Sequence, residues 1–353
     1  EASLAVRIGG QVFRFYQTVS TSPPTAPTTD NAPLTIVKTP PQIGNYVILP
    51  HTIGSGAFAT VWLALNTKTL KQVACKRMSR KVVGEKSLHN VRREIDILKR
   101  ASHPNINKIE DVEVSDDSVH IFLELVSGGD LFSFLVKRGR LDAPQAKWIL
   151  YQMLHALIYL HEEVNVAHRD IKLENVLLCG SGSFPKIQLA DFGQATVADR
   201  DFQSLKGTLS YMAPEQLMGW TRREGYDGKI ADMWSTGIVL SFLLTGTHPF
   251  EPLASQSSSL AYSNSIFGET ASGEFEQNSI EQRLCLSVVK GDVGLPRMKF
   301  GTHDFELRSL LSCLLNPDPD TRSSSRKAIG SRWFKTSSIE LKELYERVVG
   351  VKL

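Results

Sequence analysis

The chain reads as an α+β protein of two lobes, a small β-rich lobe followed by a larger helical one. Two changes of pattern carry that reading. From Tyr46 to Val126 short apolar stretches alternate with turn residues, and after Gly128 and Gly129 the apolar spacing lengthens to helical periods. Size is the third observation: 353 residues, 42% of them hydrophobic, can bury a sizeable core and suit one large domain or two lobes.

Taken in order, the first element is "LAVRIGGQVFRFYQ", where apolar and polar residues alternate around Gly9 and Gly10 as in a hairpin. A hairpin alone is only marginally stable. Residues 18–43, mostly "TVSTSPPTAPTTDNAPLTIVKTPP", are rich in Pro, Thr and Ser and read as an extended linker. The strand-like stretches "YVILPHTIGSGAF", "ATVWLALN" and "QVACKRM" come next. In "SLHNVRREIDILKRA" the spacing of Val91, Ile95 and Leu98 predicts a helix with these residues on one face and Glu94 on the polar side. "HIFLELV" resumes strand, and helices are expected from Pro144 to Glu162, Ala231 to Leu244 and Asp304 to Leu315. The Ser-rich segment at about 251–282, which opens with "EPLASQSSSLAYSNSIFGETASGEFEQ", has no periodicity and reads as an inserted loop. Residues 335–353 read as a C-terminal tail.

A net charge of +3 without single-sign blocks implies neither a nucleic-acid nor a membrane surface. Cys75, Cys179, Cys285 and Cys313 lie far apart, which argues against a disulfide framework or a zinc site and fits a reducing, intracellular setting, nucleus and cytoplasm. The longest apolar stretch, "WILYQMLHALIYL", is too short to span a bilayer. No signal peptide is visible, and a start at Glu1 suggests a fragment or processed form.

The chemistry-bearing stretches come in a fixed order. In "IGSGAFATV" the glycines let a backbone turn lie close over an anionic ligand, although they also suit an ordinary hairpin. Lys76 in "VACK" sits among apolar strand residues, and Glu94 comes later on a helix; they are either a buried pair that orients the amine or a surface lysine and a solvated glutamate. "VAHRDIKLENVLL" sets Asp170, Lys172 and Asn175 at a spacing for which a plain core strand has no use. Asp170 can orient an attacking hydroxyl, Lys172 can neutralise charge on a transferred phosphoryl group, and Asn175 can bind a metal through its amide oxygen. In "LADFGQA", Asp191 after an apolar strand suits a carboxylate that holds Mg²⁺. "GTLSYMAPEQL" then brings Ala213, Pro214 and Glu215. Singly these are a turn Asp, a capped helix and a Pro-limited loop.

Their conjunction resembles the signature set of the eukaryotic protein kinase domain, over about residues 44–334. The resemblance implies the bilobal protein-kinase fold: a small antiparallel sheet with one main helix at about 44–125, and a mainly α-helical lobe at about 126–334. It implies that Gly54, Ser55, Gly56, Ala57, Phe58 and Ala59 cover the phosphates of ATP while Ile53, Val61, Ala74 and Leu177 sandwich the adenine. Lys76, held by Glu94, contacts the α- and β-phosphates; Glu124 to Val126 form the hinge, with Leu123 guarding a back pocket. Asp170 is the catalytic base, Lys172 assists, and Asn175 and Asp191 hold two Mg²⁺ ions. Glu215 pairs with Arg322, Asp232 braces the catalytic loop and His168 packs within it. Ala59 replaces the family's third glycine and Leu173 stands where many relatives have proline; both substitutions are peripheral.

Lysine two residues after Asp170 is the serine/threonine-kinase pattern, so the expected reaction is phosphate transfer from ATP to Ser or Thr of protein substrates. Asp130 and Glu174 stand where kinases that prefer arginine three residues before the acceptor carry acids, although Asp130 equally suits the cap of the helix "DLFSFL". Arg169 is the residue with which such kinases receive a phosphorylated activation loop; Ser204 is the expected phosphosite, with an upstream kinase or the chain itself as its source. Thr208 is expected to contact the catalytic loop. The glycine loop also resembles that of fungal checkpoint effector kinases of the calcium/calmodulin-kinase group, which carry a forkhead-associated domain. "VFRFYQ", within residues 1–17, resembles the last strand of such a domain, with a chance hairpin as the competing account. Ser255-Gln256 offers the minimal site of damage-sensing kinases. The alternatives are a kinase-fold scaffold acting by binding, opposed by intact Lys76, Asp170, Asn175 and Asp191, and a small-molecule kinase, opposed by Ala213-Pro214-Glu215.

Overall fold

The computed structural model describes residues 3–8, 11–16, 41–56, 59–197, 207–222, 225–250, 287–289 and 305–353. They fall into two compact units: Glu1–Gly84 with Ile109–Leu125, and Glu85–Lys108 with Val126–Leu353. The expected hairpin is present, β1 (Ser3–Ile8) pairing antiparallel with β2 (Gln11–Tyr16) and Ile8 opposite Gln11. The Ser-rich insertion, Ala57, Phe58, Ser204 and Ser255-Gln256 lie outside the described residues, as do the linker residues up to 40.

The first unit is built on a six-stranded antiparallel sheet in the order β3-β4-β5-β6-β8-β7. Its strands are β3 (Gln42–Ile43), β4 (Tyr46–Ser55), β5 (Thr60–Asn66), β6 (Gln72–Ser79), β7 (Ile109–Val114) and β8 (Ser118–Glu124). β3 begins inside the stretch expected to be linker, and β7 carries no signal that singles it out in the sequence. Tyr46, Ala64, Val73, Cys75 and Phe122 form the core of this sheet, with Tyr46 stacked on Phe122 at 3.7 Å between ring centroids. Central β6 lies between β5 and β8, so Lys76 is opposite Val61 on one side and Ile121 on the other.

α1 (Arg80–Arg100) differs from expectation in its buried face. Val91, Ile97 and Leu98 are buried, but so is Glu94, at 3% exposure, whereas Ile95 is only half-buried. The helix therefore turns Glu94 inward rather than presenting it to solvent. From Glu85 onward α1 belongs with the second unit.

The second unit is mainly helical. α2 (Leu131–Arg138) starts at Asp130, whose carboxylate accepts from Ser133 N at 2.7 Å. α3 (Ala143–Ile158) starts at Asp142, whose Oδ1 accepts from Gln145 N at 2.8 Å, with proline in its first turn. A π-helical turn, Tyr159–Glu163, extends α3 toward β9 (Val166–Ala167). β10 (Val176–Cys179) and β11 (Lys186–Leu189) form a hairpin, and β12 (Thr196–Val197) pairs with β9. α4 (Pro214–Arg222) and α5 (Gly228–Thr245) come next, α5 being buried along nearly its whole length. The chain ends in α6 (Phe305–Leu314), α7 (Ser325–Ile329), α8 (Arg332–Lys335) and α9 (Ser338–Val349). The expected tail is thus an ordered helix that buries Leu341, Tyr345 and Val349. Among the described residues no helix is long and apolar enough to cross a membrane.

Candidate active site

The loop between β9 and β10 is held from below by one carboxylate. Asp232 on α5, 1% exposed, accepts from His161 Nε2 (2.9 Å), His168 N (2.8 Å) and Arg169 N (2.7 Å). Three donors on one buried acceptor fix the backbone at the point where it is least relaxed, since Arg169 has φ +66°. His168 locks the same turn from above. Its Nδ1 accepts from Asp170 N (3.4 Å), so Nε2 carries the proton and donates to Ala190 O (3.1 Å). Its ring packs on Phe192 at 4.7 Å.

On this base stand four polar side chains. Lys172 Nζ lies 2.8 Å from Asp170 Oδ2 and donates to Thr208 Oγ1 at 2.9 Å. The Thr208 hydroxyl donates in turn to Asp170 Oδ1 at 3.0 Å. Asn175 Nδ2 donates to Asp170 O (2.8 Å) and Asp170 Oδ2 (3.0 Å). Asp170, 9% exposed, is thereby aimed with its lysine alongside, and it already accepts a hydrogen bond from a threonine hydroxyl. That is the contact a Ser or Thr acceptor needs for its oxygen to be oriented for attack.

The end of the site expected to hold metal is set by β11. Asp191 lies just beyond it at φ +58°, with Gly193 N donating to its Oδ1 at 3.4 Å, and Ala190 N donates to Asn175 O at 2.9 Å. Both hydrogen bonds of the Asn175 amide nitrogen go to Asp170, which leaves Oδ1 as the atom that could serve as an oxygen ligand. One carboxylate and one amide oxygen are a hard donor set suited to Mg²⁺, which keeps few protein ligands and completes its shell with phosphate and water. Among the described residues no group of three or more His, Cys, Asp or Glu could hold a metal.

The acidic residues expected to face substrate differ in surroundings. Both Asp130 oxygens are engaged by Ser133, Oδ2 accepting from its hydroxyl at 2.8 Å, so the capping role is realised. Glu174 Oε2 is buried without a hydrogen-bond partner among the described residues. Burial pushes the Glu174 carboxyl above the ordinary carboxylate range, with its own backbone N–H and Lys172 opposing and Asp170 and Asp130 adding to the rise.

Arg169 donates to Tyr226 Oη through Nη2 (2.7 Å) and Nε (3.2 Å). Burial, followed by the like charge of Arg169, lowers the pKa of Arg93 on α1 from its usual value. No motif singles out Arg93 in the sequence; only its position beside Glu94 draws attention to it. Glu215 and Arg322 form a bidentate ion pair at 2.5 and 2.8 Å, Arg322 also donating to Asn316 O at 2.8 Å. In the other unit, Gly54 is opposite Val61 and Ser55 opposite Thr60, and Gly56 N donates to Ala59 O at 2.9 Å. Ile53 is exposed and Ala74 and Leu123 are half-buried on that sheet; Glu124 is exposed at the end of β8. In the second unit Val126 is half-buried and Leu177 pairs with Gln188. A cavity of about 510 Å³ near Lys147 and Trp333 contains none of these residues.

A six-stranded antiparallel sheet in one unit and a helical unit that carries a braced Asp–Lys–Asn loop define an α+β protein of two lobes. Residues 48–334 match the protein kinase domain family, so the chain belongs to that family, and its sheet and helical unit are the two lobes of the kinase fold. ATP and Mg²⁺ are the cosubstrate and metal that this domain uses. The chain is 34% identical over 300 residues to CBL-interacting serine/threonine-protein kinase 3 of Arabidopsis thaliana, covering 83% of this chain and 59% of the relative. It is 32% identical over 293 residues to a probable myosin light chain kinase of Dictyostelium discoideum, covering 82% and 83% respectively. The match to CBL-interacting protein kinase 24 of Oryza sativa subsp. japonica is 37% over 214 residues, 60% of this chain and 45% of the relative. The chain thus spans roughly half to three-fifths of the length of these plant relatives.

Proposed function

We propose that the protein is a serine/threonine protein kinase that transfers the γ-phosphate of ATP to protein substrates. The observation that carries this is the Thr208 hydroxyl donating to Asp170 while Lys172 spans both, a geometry in which an acceptor hydroxyl can take the place of Thr208. Asn175 and Asp191 would hold the magnesium that neutralises phosphate charge, and Lys76 would contact the α- and β-phosphates.

Glu174 supports a preference for arginine three residues before the acceptor. A buried carboxylate oxygen lacking a partner gains most from a guanidinium that supplies one. Asp130, half-buried and already capping α2, would add charge rather than a vacant lone pair. Regulation by a phosphate on Ser204 is supported by Arg169 and Arg93, whose mutual repulsion an anion would relieve. A checkpoint role, in DNA damage or meiosis, rests on the glycine loop and the N-terminal hairpin and stands as part of this proposal, with the nucleus and cytoplasm as its setting. A regulatory partner protein, of the kind that the names of the plant relatives state for them, belongs to it as well.

The test is phosphate transfer from Mg-ATP to a Ser/Thr peptide array. The expected result is transfer favouring arginine at the third position before the acceptor, abolished by Asp170→Ala and made less arginine-selective by Glu174→Gln. An unaltered rate in Asp170→Ala, or no transfer after treatment with an activating kinase, would overturn the enzymatic reading in favour of a scaffold.

A further inference from the structure

Tyr345 lies on the last helix, far in sequence from every residue of the site, yet it is fully buried, at 0% exposure. Its hydroxyl donates to Asn105 Oδ1 at 2.5 Å. Asn105, also 0% exposed, directs Nδ2 to Ile187 O (2.8 Å) and Gln152 Oε1 (3.0 Å). Gln152 Oε1 accepts from Ile187 N at 3.0 Å, and Leu189 N donates to Asn105 O at 2.8 Å. β11 is therefore gripped on one side by β10 and on the other by residues 105–107, where Asn107 N donates to Leu189 O at 2.8 Å.

An amide side chain can be turned over, exchanging its oxygen for its nitrogen, and only its partners decide which way it sits. Here a carbonyl and a glutamine oxygen demand the nitrogen on one side, and the tyrosine hydroxyl rewards the oxygen on the other. Burial raises the Tyr345 pKa from its ordinary value, with Tyr151 adding to the rise, so the phenol keeps the proton it donates. β11 runs into Ala190 and Asp191 with no loop between them, so a shift of Leu189 is passed directly to Asp191.

We infer that Tyr345 is a positioning residue for the metal-holding end of the site: through Asn105 it fixes β11 and hence the orientation of Asp191. The inference rests on the proposed role of Asp191. It assigns the C-terminal helix α9 a part in the reaction, beyond covering the apolar face of α3. Tyr151, whose ring is 6.0 Å from that of Tyr345, belongs to the same aromatic cluster but donates no hydrogen bond to Asn105. It is the natural control.

The experiment compares the full chain with Tyr345→Phe, Tyr151→Phe and Asp191→Ala. Amide hydrogen exchange is followed across residues 186–192, and binding of a non-hydrolysable ATP analogue is measured by calorimetry with and without Mg²⁺. In Tyr345→Phe, exchange at Ile187 and Leu189 is expected to speed up, and the gain in nucleotide affinity that Mg²⁺ confers to fall by about tenfold. Affinity without Mg²⁺ stays unchanged, excess Mg²⁺ restores binding, and Tyr151→Phe matches the parent. Unchanged exchange, or an equal loss with and without Mg²⁺, overturns the inference and leaves Tyr345 a packing residue. Asp191→Ala distinguishes the two failures. If it too leaves the Mg²⁺ effect intact, the metal role of Asp191 falls and the inference with it; if it removes the effect while Tyr345→Phe does not, only the inference falls.

Discussion

Gly207 has φ +111°, and a Cβ placed there would lie 2.7 Å from Arg169 O. Both the backbone angle and the contact therefore exclude a side chain, and the next residue is Thr208, whose hydroxyl joins Asp170 to Lys172. Gly207→Ala must push the segment away from the catalytic loop or strain Arg169, which already stands at positive φ. The expected outcome is a fall in kcat of about a hundredfold, in line with what small displacements of positioning groups cost. The melting temperature should drop by only a few degrees, roughly what 1 kcal/mol does to a domain of this kind. Steady-state kinetics and a thermal melt on the same preparation check both; wild-type kcat would show that Thr208 is not tied to the reacting group.

At the scale of elements, the ion pair between α4 and the turn before α7 shows how the helical unit secures its substrate-side segment. Arg322 is 2% exposed, and Glu215 is the partner that holds two of its nitrogens. Glu215→Ala leaves a buried guanidinium with carbonyl acceptors, Asn316 O and Ile230 O among them, and the face of Trp234 but no carboxylate, and is expected to cost about 3 kcal/mol. Denaturant titration reads this directly, and a cost below about 1 kcal/mol would mean that the pair is solvated in solution. This pair is legible in the sequence only through the family resemblance, which implies it from the Ala213-Pro214-Glu215 motif. Elements whose role is set by packing are less so. Glu94 looks solvent-facing in the sequence because a charged residue in a helix usually is, and tertiary context turns it inward. α9 reads as a tail although Leu341, Tyr345 and Val349 repeat every four residues, a helical stripe diluted by the charged residues between them. Arg93 and Asn105 carry no motif at all; their significance comes from what folding places beside them, namely Arg169 and Tyr345.

For the molecule as a whole, three histidines, His248 buried and His103 and His155 half-buried, set a limit on the acid side. Burial lowers the pKa of His103, His155 and His248 from 6.5 to about 4 each; His155 and Lys186 add to the shift of His103, and the Ser210 carbonyl opposes that of His248. A depressed folded-state pKa means that the unfolded chain binds protons first, so the stability these histidines provide is complete above pH 6.5 and is lost as pH falls toward 4. Each represents on the order of 3 kcal/mol at the acid limit. Because His155 contributes to the shift of His103 the three do not simply add, but together they are a sizeable part of a typical folding free energy of about 5–15 kcal/mol. All three lie in the second unit, His155 within the aromatic cluster of Tyr151 and Tyr345, its ring centroid 5.0 Å from that of Tyr345. The melting temperature should hold near neutral pH, fall steadily below about pH 6.5, and the helical unit should unfold before pH 4 is reached. Circular dichroism melts across that range measure it. Because His155 adjoins Tyr345, hydrogen exchange at Ile187 and Leu189 should rise early in the same descent. A melting temperature unchanged down to about pH 4.5 would mean that these imidazoles reach water without unfolding.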